Sequence, residues 1–410
     1  MNNTPELLSP AGDLDKMRFG IAYGADAVYM AGTRFGMRAA ATNFDDNALR
    51  EGIAYAHAHG VKCYITVNIM PSNRDLPALP AYLELLQDAG ADALIIADVG
   101  VLRMARRYAP RVPVHISTQT SILNHEAANY WADEGAERIV LARELSLEEI
   151  AEIRAKTPKE LEIEAFVHGA MCISYSGRCL ISQYITGRDA NHGACAQPCR
   201  WNYSLMEEKR PGQFFPVEED GRGTYLYNSK DMCMIEHVPE LIKAGITSFK
   251  IEGRNKTAYY AACVTGAYRA AIDTYKKDPE NFVLPQFCRD EVNKVSHREY
   301  YTGFYFGNQE NGQHYGDSQY IREYEVVGMP VECDDSGKAV FVLKNRFFDG
   351  EELELIQPGQ APYVFRAENV TDDEGTKREL FNVPQMRVHF AFPFKVSEWA
   401  ILRKAKERPE

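Results

Sequence analysis

"AGADALIIAD", residues 89–98, sets a glycine and a two-residue step ahead of an unbroken apolar run. The same figure recurs as "YGADAVYMAG" (23–32), "HGVKCYITVN" (59–68), "EGAERIVLAR" (134–143) and "AGITSFKIEG" (244–253). Segments such as "DNALREGIAYAHA" (46–58) and "LPAYLELLQDA" (79–89) precede the glycine, with apolar residues at helical spacing. Glycine suits the left-handed position that ends a helix. A short Val/Ile-rich run after it reads as a strand covered on both faces, as in a parallel sheet. The unit is therefore helix, glycine cap, buried strand.

Three further strand candidates lack that lead-in: "PELLSP" (5–10), "VPVHIST" (112–118) and "LEIEAFVHG" (161–169). Together they predict eight strands, at roughly 5–10, 26–32, 62–70, 93–98, 113–118, 137–143, 161–168 and 247–253. Eight parallel strands alternating with helices over about 250 residues predict an α/β fold of the (β/α)8, TIM-like kind. A doubly wound open sheet is the rival, but no Gly-x-Gly-x-x-Gly turn follows the first strand. The spacing breaks once, with about 80 residues between strands seven and eight, far beyond an ordinary βα connection. From about 322, "YEVVGMPVEC", "KAVFVLKN" and "RVHFAF" are short runs divided by "DDSG" and "DDEG", which predicts a small antiparallel β domain. The expected division is 1–280 for the barrel with an insertion at about 170–230, 281–321 for a connector, and 322–410 for the β domain.

The chain has 410 residues, 45% apolar and 25% charged, with a net charge of -12. No apolar run is long enough to cross a membrane. The opening "MNNTPELLSPAGD" has no basic region followed by an apolar stretch. A cytoplasmic location is expected, with reduced thiols. The acidic balance argues against a general nucleic-acid coat, though not against a local basic site.

Nine cysteines, an odd number, fit a disulfide framework poorly. Cys63, Cys263, Cys288 and Cys333 read as small core hydrophobes. Cys172, Cys179, Cys195 and Cys199 differ. They fall in "HGAMCISYSGRC" (168–179) and "GACAQPC" (193–199), at the start of the long loop. Zinc sites favour pairs two to four residues apart, and only Cys195/Cys199 meets that. Irregular spacing on a long loop suits an iron–sulfur cluster, while zinc, a redox pair and packing stay open. Cys233, in "NSKDMC", is a fifth candidate ligand, expected at the start of the helix after the loop.

The loop would leave the C-terminal face, where barrel active sites are built. Polar residues at strand ends are expected to converge there: Glu6, Asn68, Asp98, Gln119, Arg143, Glu144, His168, Lys250, Glu252 and Arg254. In "KIEGR", period two puts Lys250, Glu252 and Arg254 on one face. Lys250 and Arg254 there would bind carboxylates or phosphates, and the alternative is a salt-bridged barrel interior. His168, Lys250 and Glu252 are the acid–base candidates; a satisfied core histidine is the competing reading of His168. Asn68, Gln119, Arg178, Arg200 and Arg254 are the substrate-binding candidates. Arg178, Arg188, Arg200 and Trp201 are of the types on which an RNA base stacks. In the β domain, Lys344, Arg346, Arg366, Lys377 and Arg378 are the candidates for phosphate contacts.

"EAFVHGAMCISYSGRCLIS", "SFKIEGR" and "PELLSPAG" together resemble the peptidase U32 family, once called collagenase-like, and most closely its tRNA-hydroxylating branch. The resemblance runs from residue 5 through the β domain. It implies a barrel-type fold and a [4Fe–4S] cluster held by four cysteines, which fall here on Cys172, Cys179, Cys195 and Cys199. In one branch the fourth ligand falls near Cys233. The resemblance also implies oxygen-independent hydroxylation of the tRNA wobble uridine to 5-hydroxyuridine, linked to prephenate. A U32-type peptidase is the alternative. However, no Gly-x-Ser-x-Gly elbow occurs, and "HEAAN" (125–129) lacks the second histidine of a zinc protease. A non-catalytic iron–sulfur protein serving a partner subunit, in a homo- or hetero-oligomer, is the third reading.

Overall fold

The computed structural model describes residues 4–37, 42–172, 174–175, 178–201, 205–206, 214–215, 230–307 and 320–406. Eight strands form a closed parallel barrel: β1 (Glu6–Pro10), β2 (Ala27–Met30), β3 (Lys62–Val67), β4 (Ala93–Ile96), β5 (Val114–Ile116), β6 (Arg138–Val140), β7 (Glu162–Ala170) and β8 (Ser248–Ile251). Each pairs with its neighbours in sequence, and β8 closes the ring between β7 and β1. The fold is the TIM-like barrel that the glycine figure predicts. All five glycines of the figure have φ between 72° and 96°, a region that side chains with a Cβ rarely enter. Helix starts are capped in turn by Asp13, Asp45, Asp98, Asn124, Ser146 and Thr257. Each side chain accepts hydrogen bonds from otherwise unpaired N–H groups of the first turn.

The interior is ionic rather than apolar near the strand starts. Glu164 is fully buried, and its carboxylate bridges Arg138 Nη1 at 3.0 Å and Lys250 Nζ at 2.7 Å. Arg138, 2% exposed, also binds Glu6 at 2.6 Å and Glu162. Glu6 therefore does not join the C-terminal mouth. It opens β1, at the opposite end, and also accepts from Tyr64 Oη at 2.7 Å.

The connection from β7 to β8 contains a helix (Ile181–Thr186) and a short strand (Asp231–Cys233) antiparallel to the end of β7. Cys233 thus closes a strand instead of opening a helix, because residues 231–233 satisfy their backbone groups against β7.

After helix Ala258–Lys277, residues from 324 build a seven-stranded antiparallel sheet. Strand Ile401–Ala405 lies within it, and alternation decides what each residue meets. Leu402 joins the domain's own core with Phe341, Phe347 and Phe381, while Ile401 joins the barrel core. Arg403, fully buried, reaches Glu291 and Glu354 and donates to Tyr259 Oη at 3.0 Å. Arg403 thus pairs with both carboxylates, and Lys294, 2.9 Å from Glu354 and 3.8 Å from Glu291, supplies the second positive charge; loss of Arg403 would leave a buried charge.

His115, 4% exposed, stands edge-on to Tyr64 inside the barrel. Burial first, then Arg138 and Lys250, hold its pKa well below 6.5. Below about pH 6.5 the unfolded chain takes up a proton that the folded chain refuses. Stability from this group is complete above that pH and falls as pH drops, by up to about 1.4 kcal/mol per pH unit. His115→Phe should flatten the fall in stability between pH 7 and 5 by about one proton's worth, measured by urea unfolding. Equal slopes in both proteins would show that the folded ring takes up the proton.

Candidate functional site

Three adjoining cavities occupy the C-terminal mouth of the barrel, and Arg143 lines all of them. The innermost, about 40 Å³, is lined by Asn68, Gln119, Phe166, Lys250, Glu252 and Arg254 with Arg143. Above it, a cavity of about 60 Å³ is lined by Cys172, Cys179, Cys195 and Cys199 together. The outermost, about 290 Å³, shares Cys172, Cys195, Cys199 and Glu252 and adds Lys256 and Tyr320. The cysteine loop is therefore the roof of the barrel mouth.

Alternation along β8 does what period two predicts, since Lys250, Glu252 and Arg254 all line the innermost cavity. Their electrostatic situations differ. Lys250 is committed to Glu164 and lies 4.5 Å from the Tyr29 ring centre. Arg254, 3% exposed, donates to the Met37 carbonyl. Glu252 accepts from Tyr29 Oη at 3.4 Å and faces two cavities. Asn68 takes the Met37 N–H at 3.1 Å and donates to Ser117 Oγ at 3.2 Å, tying the loop after β2 to the end of β5. Gln119 sits in a 3-10 turn capped by Ser117, with Oε1 buried and without a hydrogen-bond partner among the described residues. A ligand donor there would satisfy that oxygen. Arg143 Nη1 donates to the Ala170 carbonyl at 3.0 Å, and its guanidinium lies 4.6 Å from the Phe166 ring centre. Cation–π contact and the carbonyl hold it across the mouth.

The other expected residues fall elsewhere. His168 is 1% exposed among Tyr260, Tyr268 and Tyr300, with Nε2 3.3 Å from Tyr300 Oη. Burial pushes its pKa down to about 3, so it is a neutral core ring. It lines none of the three cavities, and no hydrogen bond joins it to Cys172. Cys233 stands opposite His168 in the strand register, its thiol pushed up to about 12 by burial, and it too lines none of them. Asp98 spends its carboxylate on the N–H groups of Gly100 and Val101. Glu144 lies beside the mouth without lining it. Arg178 is exposed and outside the lining, and the Arg200 side chain lies outside the described residues. Sequence reasoning gave no weight to Lys256 or Tyr320, which share a cavity with three cysteines. Lys256 continues the "KIEGR" run by two residues, a signal that was there to read.

Four thiols around one cavity are a donor set that soft metals and iron–sulfur clusters take. Among the described residues no three His, Cys, Asp or Glu side chains converge on a point, as a single metal ion would require. The Gln197 N–H donates to Cys195 Sγ at 3.3 Å.

Fold and site define a TIM-like barrel protein with a thiol-roofed mouth and an ionic floor. The chain belongs to peptidase family U32, whose model matches residues 12–315, and the family's C-terminal domain matches residues 322–403. It is similar to tRNA hydroxylation protein P1 of Bacillus subtilis (strain 168), at 38% identity over 98% of this chain and 95% of that one. Similarity to tRNA hydroxylation protein P of Escherichia coli (strain K12) is also 38%, over 90% of each chain. The 23S rRNA 5-hydroxycytidine C2501 synthase of Escherichia coli (strain K12) is 36% identical over 83% of this chain and 49% of its own length.

Gly169 fixes the approach of β7 to the Glu252 backbone. It has φ +109°, and a Cβ there would lie 2.4 Å from the Glu252 carbonyl oxygen. Gly187 has φ +71° and nothing within 4 Å of such a Cβ. Gly187→Ala should cost about 1 kcal/mol from backbone strain alone. Gly169→Ala should cost at least about 2 kcal/mol more, as overpacking does. Urea unfolding of the two variants checks this, and equal losses would remove the steric constraint from the site.

Proposed function

We propose that this protein is a tRNA hydroxylase that converts the wobble uridine to 5-hydroxyuridine without dioxygen, using an iron–sulfur cluster held at the roof of the barrel mouth. The observation that carries the reading is the shared cavity of Cys172, Cys179, Cys195 and Cys199, which adjoins the Arg143–Arg254 floor. The relatives named for tRNA and rRNA hydroxylation support the substrate class. A cytoplasmic setting follows from that substrate, and no helix among the described residues is long and apolar enough to cross a membrane.

When bound, a [4Fe–4S] cluster supplies one-electron transfer or an open iron position. The chain's own residues set up everything around it. Arg143 and Arg254 hold a carboxylate of a small dicarboxylate such as prephenate, whose remainder occupies the adjoining cavities that Arg143 also lines. Lys250 is the weaker anion ligand, because Glu164 already holds its charge. Glu252, between the inner and outer cavities, holds or moves a proton at its carboxylate, next to both the ligand floor and the opening through which a base would enter. Asn68 and Gln119 orient the ligand by neutral hydrogen bonds. His168 keeps the end of β7 in place from the core and moves no proton at neutral pH.

Two measurements test the reading. Changing Cys172, Cys179, Cys195 or Cys199 to Ala should remove most iron and sulfide from anaerobically prepared protein, while Cys63→Ala and Cys263→Ala keep both. Full iron in Cys199→Ala with loss in Cys233→Ala would move the fourth ligand to the buried strand. Nucleoside analysis of tRNA from a strain lacking this protein should show wobble 5-hydroxyuridine absent, restored by the wild type and not by Cys172→Ala. Unchanged 5-hydroxyuridine in the deletion strain would reject the hydroxylase reading.

A further inference from the structure

We propose that the C-terminal domain carries a groove for an RNA backbone that continues the barrel mouth, so that one RNA occupies both. This inference rests on the RNA reading above. The groove has a volume of about 650 Å³, and its walls include Lys344, Arg346, Phe348, Glu325, Lys404 and Lys406. Lys344, Arg346 and Lys406 are exposed, and among the described residues none of the three stands in an ion pair. Lys404 is different. It is buried and held by Glu351 at 2.9 Å and Glu325 at 3.9 Å, so it adds shape and no positive charge to the groove. Phe348, 42% exposed, puts an aromatic face on the same wall. Uncompensated cations beside an aromatic ring match phosphates flanking an unstacked base. An acidic peptide would use the cations and leave the ring idle.

The position of the groove ties it to the cysteine cavity. Tyr320 lines that cavity and Glu325 lines the groove. Five residues span at most about 18 Å, the length of about five stacked nucleotides at 3.4 Å each. The path begins on a cation-rich aromatic, because the Tyr320 ring is faced by Lys256 at 4.4 Å, Arg298 at 5.0 Å and Arg322 at 5.7 Å. An RNA with its reacting base under the cysteine roof would therefore meet Tyr320 first and the groove next. Deleting the domain would not test this, since it would strip Arg403 from Glu291 in the barrel.

The test is binding of unmodified tRNA by the full-length protein across a salt series. It compares wild type with the triple variant Lys344→Ala/Arg346→Ala/Lys406→Ala and with a control, Lys159→Ala/Lys276→Ala/Lys277→Ala, which removes three exposed cations elsewhere. The groove variant should bind at least tenfold more weakly near 0.15 M salt. Its log–log salt slope should be shallower by about 2, the share of three single-strand phosphate contacts. The control should stay within twofold of wild type, and all three proteins should melt together. If the groove variant binds like wild type while wild type binds tRNA, the groove proposal fails and the hydroxylase reading stands. If wild type binds no tRNA, both fail.

Discussion

A single carboxylate, Glu164, organises the barrel. Fully buried between Arg138 and Lys250, it sits where three strands of different sequence origin must present charge to one another. Buried charge is tolerated only when paired and hydrogen-bonded, so β6, β7 and β8 hold a fixed stagger. A slip of one residue in any of them would turn a charged side chain to the helical shell. Lys250 is thereby fixed at the floor of the mouth, and the same alternation carries Glu252 and Arg254 up into it. The ionic floor and the ligand-facing residues are consequences of one register.

Backbone proximity completes the frame. The chain from Glu252 to Arg254 passes between two glycines. A Cβ at Gly169 would strike the Glu252 carbonyl at 2.4 Å, and one at Gly12 would strike the Arg254 carbonyl at 2.1 Å. "PELLSPAG", "VHGAMC" and "KIEGR" are far apart in sequence and meet at this one place. Glycine is needed on both sides because the strand ends must close tightly enough for Arg254 to reach the Met37 carbonyl from a buried position. The segment that carries Cys172 leaves directly from Gly169, so the roof inherits its position from the same close contact.

Most of the barrel was legible because its signal is local. A glycine cap and a buried strand repeat within ten residues, and each of the five glycines takes the left-handed conformation that the figure demands. The strand-end face of "KIEGR" was legible for the same reason. What failed to read was depth. His168 looks like a polar residue at a strand end, yet three tyrosines from distant segments enclose it. Glu6 opens β1, so its place in sequence sets it at the other end of the barrel from the mouth. Cys233 reads as the start of a helix because pairing with the end of β7 is a long-range event that leaves no period in three residues.

Charge distribution explains how an acidic chain could serve an RNA substrate. With a net charge of -12, most of the surface repels phosphate, and that repulsion fades over about 8–10 Å at physiological salt. Attraction is therefore confined to places where cations are gathered. Arg138, Lys250 and Arg403 are spent internally on carboxylates and contribute nothing outside. Lys256, Arg298 and Arg322 gather on the Tyr320 ring, and Lys344, Arg346 and Lys406 line the C-terminal groove. On the RNA reading, an acidic exterior suppresses non-specific binding and leaves one continuous path of favourable potential, which leads to the cysteine roof.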